Sequence, residues 1–207
     1  LLGIKRPDEN DKTPIAPLLG TAFHLLCEKR SHDLERESEV LVEQPVHVGD
    51  VGGYGPIKGT LDRFDIRDGE VMDWKLVSLK KKQTFIRLHR KAMRDGFDAI
   101  VADFGAAQFL QYYIQLCLYG KGMDDMGYDV NNVTLLLLPR DATVHVVESE
   151  LAALQMPYDR DLAIYALGRA SLIYKKARES VNMITDLDTA PECYYCNKYR
   201  PIHYMKG

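Results

Sequence analysis

Asp73 and Lys75 stand two residues apart in the segment EVMDWKLV, residues 70–77. That segment is rich enough in apolar and β-branched residues to form a strand, and side chains alternate across a strand, so the carboxylate and the ammonium project from one face. Hydrolysis of a phosphodiester requires charge neutralisation at the phosphate and a water made nucleophilic near neutral pH. A carboxylate-held Mg²⁺ or Mn²⁺ supplies both, and a lysine beside it can orient or help deprotonate the water. An exposed Asp-x-Lys is usually an ordinary strand-surface pair, but Asp73 is the only acidic residue here two places before a lysine. Asp62, in the preceding segment GTLDRFD, would come alongside Asp73 across a hairpin, with Asp65 as a competitor three residues on. Trp74 lies between Asp73 and Lys75 with its side chain on the opposite face, while its carbonyl could still ligate a cation.

His24 sits in a run of apolar residues with helical spacing. A lone histidine on such a face is more often a hydrogen-bonded core residue than a ligand. Imidazole suits Mn²⁺ and later metals better than Mg²⁺, so a His24 that binds predicts activity favouring Mn²⁺. Glu43 is a further candidate, for the cation directly or for a group around it. Of the four cysteines, Cys117 lies inside an apolar helical pattern and reads as a small core residue, while Cys193 and Cys196 form a C-x-x-C near the end.

These residues must be positioned by a helix from Pro14 to about Ser38, then strands over 39–48, 57–66 and 70–77, with Asp68-Gly69 marking a tight turn before the third. Residues 83–123 are mostly helical in pattern, with a break near Gly96 and Gly105. NNVTLLLLPRDATVHVVE predicts two strands around Pro139-Arg140-Asp141, and a last helix runs from Pro157 to Arg178. This order predicts an α/β or α+β fold: a central mixed β-sheet flanked by helices. The length, 207 residues with 46% hydrophobic, suits one domain over residues 1–207.

A formal charge of -3 argues against a protein that coats nucleic acid by bulk positive charge. Locally, Lys80, Lys81, Lys82, Arg87, Arg90, Lys91 and Arg94 occur with no intervening carboxylate, a strip that could track phosphates or simply form a solvated helix face. The longest apolar run, LLLLP, is strand-sized, which predicts no membrane span. The chain begins with Leu and lacks a secretory pattern, so it reads as trimmed and cytoplasmic, without a disulfide framework.

The order of motifs resembles that of RecB-like nucleases of the PD-(D/E)XK superfamily, including CRISPR-associated, AddB-type and phage exonuclease members. Gly20 and His24 in GTAFH resemble the family's G-x-x-x-H, GTLD its G-x-x-D, and Asp73-Trp74-Lys75 its D/E-x-K. Gln115 and Tyr119 match its Q-x-x-x-Y, with Gln108 and Tyr112 as an alternative match on the same helix. The resemblance implies a restriction-endonuclease-like PD-(D/E)XK core. It also implies catalysis by Asp62, Asp73, Lys75, Gln115 and Tyr119, with metal ligation by His24, Asp62, Asp73 and the Trp74 carbonyl. The substrate implied is DNA with free ends, cut in recombination, repair or phage DNA processing, with partner proteins from those processes. Some members hold an iron-sulfur cluster through one cysteine ahead of the histidine motif and three near the C-terminus. Here residues 188–207 carry Cys193 and Cys196, but Cys27 follows His24 and the next terminal cysteine is missing, with His203 near its place. A cluster completed by residues beyond this sequence, a zinc site using Cys193, Cys196, His203 and a fourth ligand, or no metal there are the three outcomes.

Overall fold

The computed structural model describes residues 15–32, 39–140 and 151–179. In chain order these are helix α1 (Ile15–His32), strands β1 (Val40–Val51), β2 (Gly55–Asp65) and β3 (Glu70–Val77), and helix α2 (Leu79–Asp95). A 3₁₀ turn (Phe97–Ile100), helix α3 (Ala106–Asp125), strands β4 (Asn132–Pro139) and β5 (Ala152–Pro157), and helix α4 (Arg160–Glu179) follow. The five strands form one sheet in the order β1-β2-β3-β4-β5. All pairs are antiparallel except β3 with β4, which is parallel. A parallel pair cannot be joined by a hairpin, so α2, the 3₁₀ turn and α3 make the crossover. The result is the helix-flanked mixed sheet predicted from the sequence.

Alternate apolar side chains of β3 and β4, joined by Leu61 and Phe64 of β2, build the face against α3. Leu61, Phe64, Val71, Val77, Val133, Leu135 and Leu137 from the sheet pack with Phe109, Tyr113, Leu116 and Met123 of α3 and with Phe85 and Leu88 of α2 in one buried cluster. A polar rung crosses the sheet beyond it: Glu70 accepts from Thr134 Oγ1 and from Gln155 Nε2 at 2.8 Å, joining β3, β4 and β5.

Several boundaries differ from the sequence expectations. The β2–β3 connection spans four residues, 66–69, rather than a two-residue turn, with Gly69 at φ +62. A Cβ on Gly69 would lie 2.5 Å from the Asp129 carbonyl oxygen, so glycine is required twice over. α2 starts at Leu79, not Gln83, because Ser78 caps it by accepting a hydrogen bond from the Lys81 amide. β5 was not predicted, and Pro157 ends that strand instead of opening the last helix; it pairs with Asn132. The strand expected at 142–148 lies outside the described residues.

Candidate metal centre

β2 and β3 pair only through Arg63–Met72, Phe64–Val71 and Asp65–Glu70. Beyond that point the strands part, and the Trp74 amide, which a continuing ladder would use, donates to Asp62 Oδ2 at 2.6 Å. The carboxylate thus substitutes for the missing ladder bond and is held between the strands, 7% exposed. On β1, opposite this gap, Glu43 adopts φ +50, the one positive φ outside glycine among the described residues. Left-handed backbone at a side chain of this size is strained, and such strain is characteristic of functional sites.

α1 brings His24 to the same place. Its Nδ1 lies 3.5 Å from Asp62 Oδ1, and its ring meets the buried Trp74 ring edge-on at 5.9 Å. One donor atom each from His24, Glu43 and Asp62 falls within 4.8 Å of the others. Gly20, one turn before His24, lines an open groove of about 510 Å³ with His24 and Glu43, and no atom lies within 4 Å of where its Cβ would stand. Glycine leaves that wall of the groove without a side chain.

Asp73 and Lys75 share a strand face, as alternation predicts, and Lys75 Nζ lies 2.6 Å from Asp73 Oδ2. Asp73 is 2% exposed, and apart from this ion-pair contact its Oδ2 has no hydrogen-bond partner. Asp73 stands outside the three-donor cluster of His24, Glu43 and Asp62. Burial, then the charge of Asp73, pushes the Asp62 carboxyl up to about 6, against the opposing pull of the Trp74 amide, His24 and Lys75. Burial likewise raises Asp73 against the pull of Lys75 and His24. For Lys75 burial works downward, yet Asp73 and Asp62 outweigh it and hold the ammonium above its ordinary value. Two buried carboxylates with raised pKa values beside one lysine make a site short of positive charge.

Asp65, the competitor to Asp62, belongs to the turn instead: it pairs with Arg63 at 2.9 Å and accepts from the amides of Arg67 and Asp68. On α3 both expected pairs form internal hydrogen bonds, Gln108 to Tyr112 at 3.3 Å and Gln115 to Tyr119 at 3.0 Å. The Tyr112 ring is the one beside Lys75, 5.6 Å from Nζ. Tyr119 lies instead over Gly59, where a Cβ would come within 2.7 Å of its ring. The glycine of GTLD thus has a steric purpose: it admits the tyrosine against β2. Helical spacing made the two pairs equivalent, and only the register of α3 on the sheet separates them.

The basic strip falls on α2, with one correction. Lys82 is buried along with Phe85, Leu88 and Ala92, which recur on the helix's inward face, so it does not belong to an exposed phosphate-tracking surface. Arg87, Arg90, Lys91 and Arg94 line a shallow groove on the outer face. Lys91 pairs with Asp103 at 3.0 Å and Arg87 with the same carboxylate at 3.7 Å, while Arg94 pairs with Asp95. Part of the strip's charge is therefore already compensated. Cys117 is buried in the core as expected, and Cys27 stays a thiol, pushed up to about 11 by burial and by Asp62. Cys193, Cys196 and His203 lie outside the described residues.

Among the described residues no helix is long and apolar enough to cross a membrane. No protein-family model matches the sequence, and no curated protein does. Among solved structures the chain is similar to the crystal structure of SSO0001, at 15% identity and a TM-score of 0.50, over 91% of this chain and 70% of that one. It also matches an alkaline exonuclease, LHK-Exo, from Laribacter hongkongensis at 9% identity and a TM-score of 0.44, over 95% of this chain and 78% of the exonuclease. The same exonuclease in complex with dAMP matches at 9% identity and 0.41, over 94% and 77%. At such identities what the chain has in common with SSO0001 is the fold, a mixed sheet with helices on its flanks.

Proposed function

We propose that this protein is a divalent-metal-dependent deoxyribonuclease that hydrolyses phosphodiester bonds in DNA with free ends. The observation that carries the reading is the convergence of His24, Glu43 and Asp62 beside the buried Asp73–Lys75 pair, at the point where β2 and β3 part. The donors fit a cation: one imidazole and the two carboxylates of Glu43 and Asp62, with the buried Asp73 carboxylate beside them. His24, Glu43 and Asp62 would hold it, with Asp73 and the Trp74 carbonyl as further oxygen donors. A bound Mg²⁺ or Mn²⁺ would neutralise charge at the phosphate and lower the pKa of a water.

The chain's own residues divide the remaining work. The Trp74 amide fixes the Asp62 carboxylate so that its second oxygen is presented toward His24. Lys75, kept cationic by its two carboxylate neighbours, orients the attacking water and offers a positive charge to the phosphate. Tyr112 flanks the ammonium, and Gln108 restrains the tyrosine hydroxyl; Gln115 and Tyr119 buttress β2 through Gly59. Arg87, Arg90 and their neighbours on α2 attract the DNA backbone. Processing of DNA ends in recombination, repair or phage replication, with partner proteins of those processes, is the setting this chemistry suits.

The test is digestion of end-labelled linear DNA, with closed circular DNA alongside, in Mn²⁺, Mg²⁺ and EDTA. Expected is metal-dependent loss of linear DNA, greater with Mn²⁺, that falls by at least a hundredfold in Asp73→Ala and in Lys75→Ala. No cleavage in any metal while DNA is still bound would replace the enzyme with a catalytically silent DNA-binding subunit, and cleavage indifferent to both substitutions would remove Asp73 and Lys75 from the reaction.

A further inference from the structure

At the far end of the β1–β2 hairpin lies a groove of about 660 Å³ between the turn and the last two turns of α4. Gly52 and Gly53 line one wall, and Ser171, Tyr174, Lys175 and Arg178 line the other. The walls are fastened together: the Gly52 amide donates to Ser171 Oγ at 2.9 Å, and the Tyr174 ring lies against Gly53, which has φ +82. Above the groove Tyr54 is 64% exposed, yet it is not free to wander. Its amide donates to the Val51 carbonyl, and its ring meets Tyr174 edge-on at 5.5 Å. The Arg178 guanidinium stands 5.9 Å from the Tyr174 ring centroid. The cationic centre of that wall is thus coupled to an aromatic face.

We infer that this groove binds single-stranded DNA, with a base stacking on Tyr54 and the backbone phosphates held by Lys175 and Arg178. A tyrosine fixed in the open beside basic side chains is the combination that single strands use. Every base has a π-face, and stacking on an aromatic ring tolerates any sequence. The two glycines let Ser171 and Tyr174 of α4 close against the turn, which fixes the aromatic pair in place. Glu179 is the one acid in the lining, against two basic residues, so the charge favours a polyanion. An apolar peptide would leave the two basic side chains unused, and an acidic peptide would leave the aromatic face of Tyr54 without a stacking partner.

The inference rests on the nuclease reading for its biological sense and extends it. β2 runs directly from this turn to Asp62, seven residues or roughly 23 Å away at strand rise. That span corresponds to roughly seven nucleotides at the spacing of a duplex strand, and fewer if the strand is stretched. A strand held at the hairpin tip would therefore reach the carboxylates at a fixed distance from its anchored base.

The experiment is fluorescence anisotropy of labelled dT20 and dT4 with the full chain in EDTA, so that binding is read without cutting. Expected is that Tyr54→Ala weakens dT20 binding about tenfold, within the range of one lost base stack, and that Tyr54→Phe restores it. Lys175→Glu should weaken dT20 binding and flatten its salt dependence, and dT4 should bind far more weakly than dT20. Thermal melts confirm that each variant is folded. Equal dT20 binding by wild type and Tyr54→Ala would overturn the inference, as would Tyr54-dependent self-association in place of DNA binding. Cleavage lost in Asp73→Ala and Lys75→Ala while dT20 binding ignores Tyr54 would remove the groove and leave the nuclease. Tyr54-dependent dT20 binding without cleavage in any metal would do the reverse.

Discussion

The Trp74 amide would continue the β2–β3 ladder, and it goes to the Asp62 carboxylate instead. That exchange places an ionisable group where burial and Asp73 raise its pKa to about 6 from 3.8. A carboxyl raised in the folded state contributes stability that is fully present below 3.8 and is lost as pH rises through about 6. The metal-free protein is therefore destabilised by this group at pH 8 relative to pH 4. Asp62→Asn, which keeps an acceptor for the Trp74 amide, should remove that component. In EDTA its melting temperature at pH 8 should exceed that of wild type by a few degrees, a gap that narrows at pH 4. An unchanged gap between the two pH values would refute the assignment. Glu43 makes the same argument through the backbone. At φ +50 a side chain costs on the order of 1 kcal/mol that glycine would not incur, so Glu43→Gly should stabilise the EDTA form and shrink the rise in melting temperature that Mn²⁺ produces. Both variants trade stability for site, the pattern expected where strain serves function.

The elements show why two glycines that look alike in sequence differ physically. Gly59 is pressed by Tyr119, so Gly59→Ala should cost roughly 1–3 kcal/mol as an overpacked contact. Tyr119→Ala should cancel most of that cost in a double-mutant cycle read by chemical denaturation. Gly20 has nothing near its Cβ position, so Gly20→Ala should gain up to about 1 kcal/mol of helix stability while narrowing the groove beside His24. A raised KM for DNA with unchanged kcat is the expected kinetic mark. The elements also divide what the sequence could disclose. Alternation placed Asp73 and Lys75 on one face, and apolar spacing located α1, β1, β2, β3 and α3, because each of those signals is local. β5, with sequence AALQMP, has no β-branched residue and owes its conformation to pairing with β4. The inward turn of Lys82, the left-handed backbone of Glu43 and the choice of Tyr112 over Tyr119 beside Lys75 depend on how distant segments meet. No window of sequence contains that information.

At the scale of the molecule, the three converging donors come from α1, β1 and β2, so a cation bound there ties a helix to the sheet. α1 needs such a tie. It docks against β1 and β3 through Phe23 and His24, while Leu25 and Leu26 are largely exposed. α3, by contrast, is anchored by a run of fully buried side chains at the centre of the core. Local opening should therefore be much cheaper for α1 than for α3. A ligand that binds only the closed arrangement stabilises it by about 2.7 kcal/mol at a hundred times its Kd. Amide hydrogen exchange without metal should show faster exchange in α1 than in α3. On addition of Mn²⁺, amides in 20–29 should slow by up to about a hundredfold, and those of 109–123, limited by global unfolding, should slow by a similar factor, because the unfolded chain releases the cation too. His24→Ala should separate the two: a cation still held by the sheet carboxylates slows α3 but no longer slows the opening of α1. Slowing in α3 without slowing in α1 in the wild type, or slowing in α1 that survives His24→Ala, would mean that the cation does not join α1 to the sheet through the imidazole.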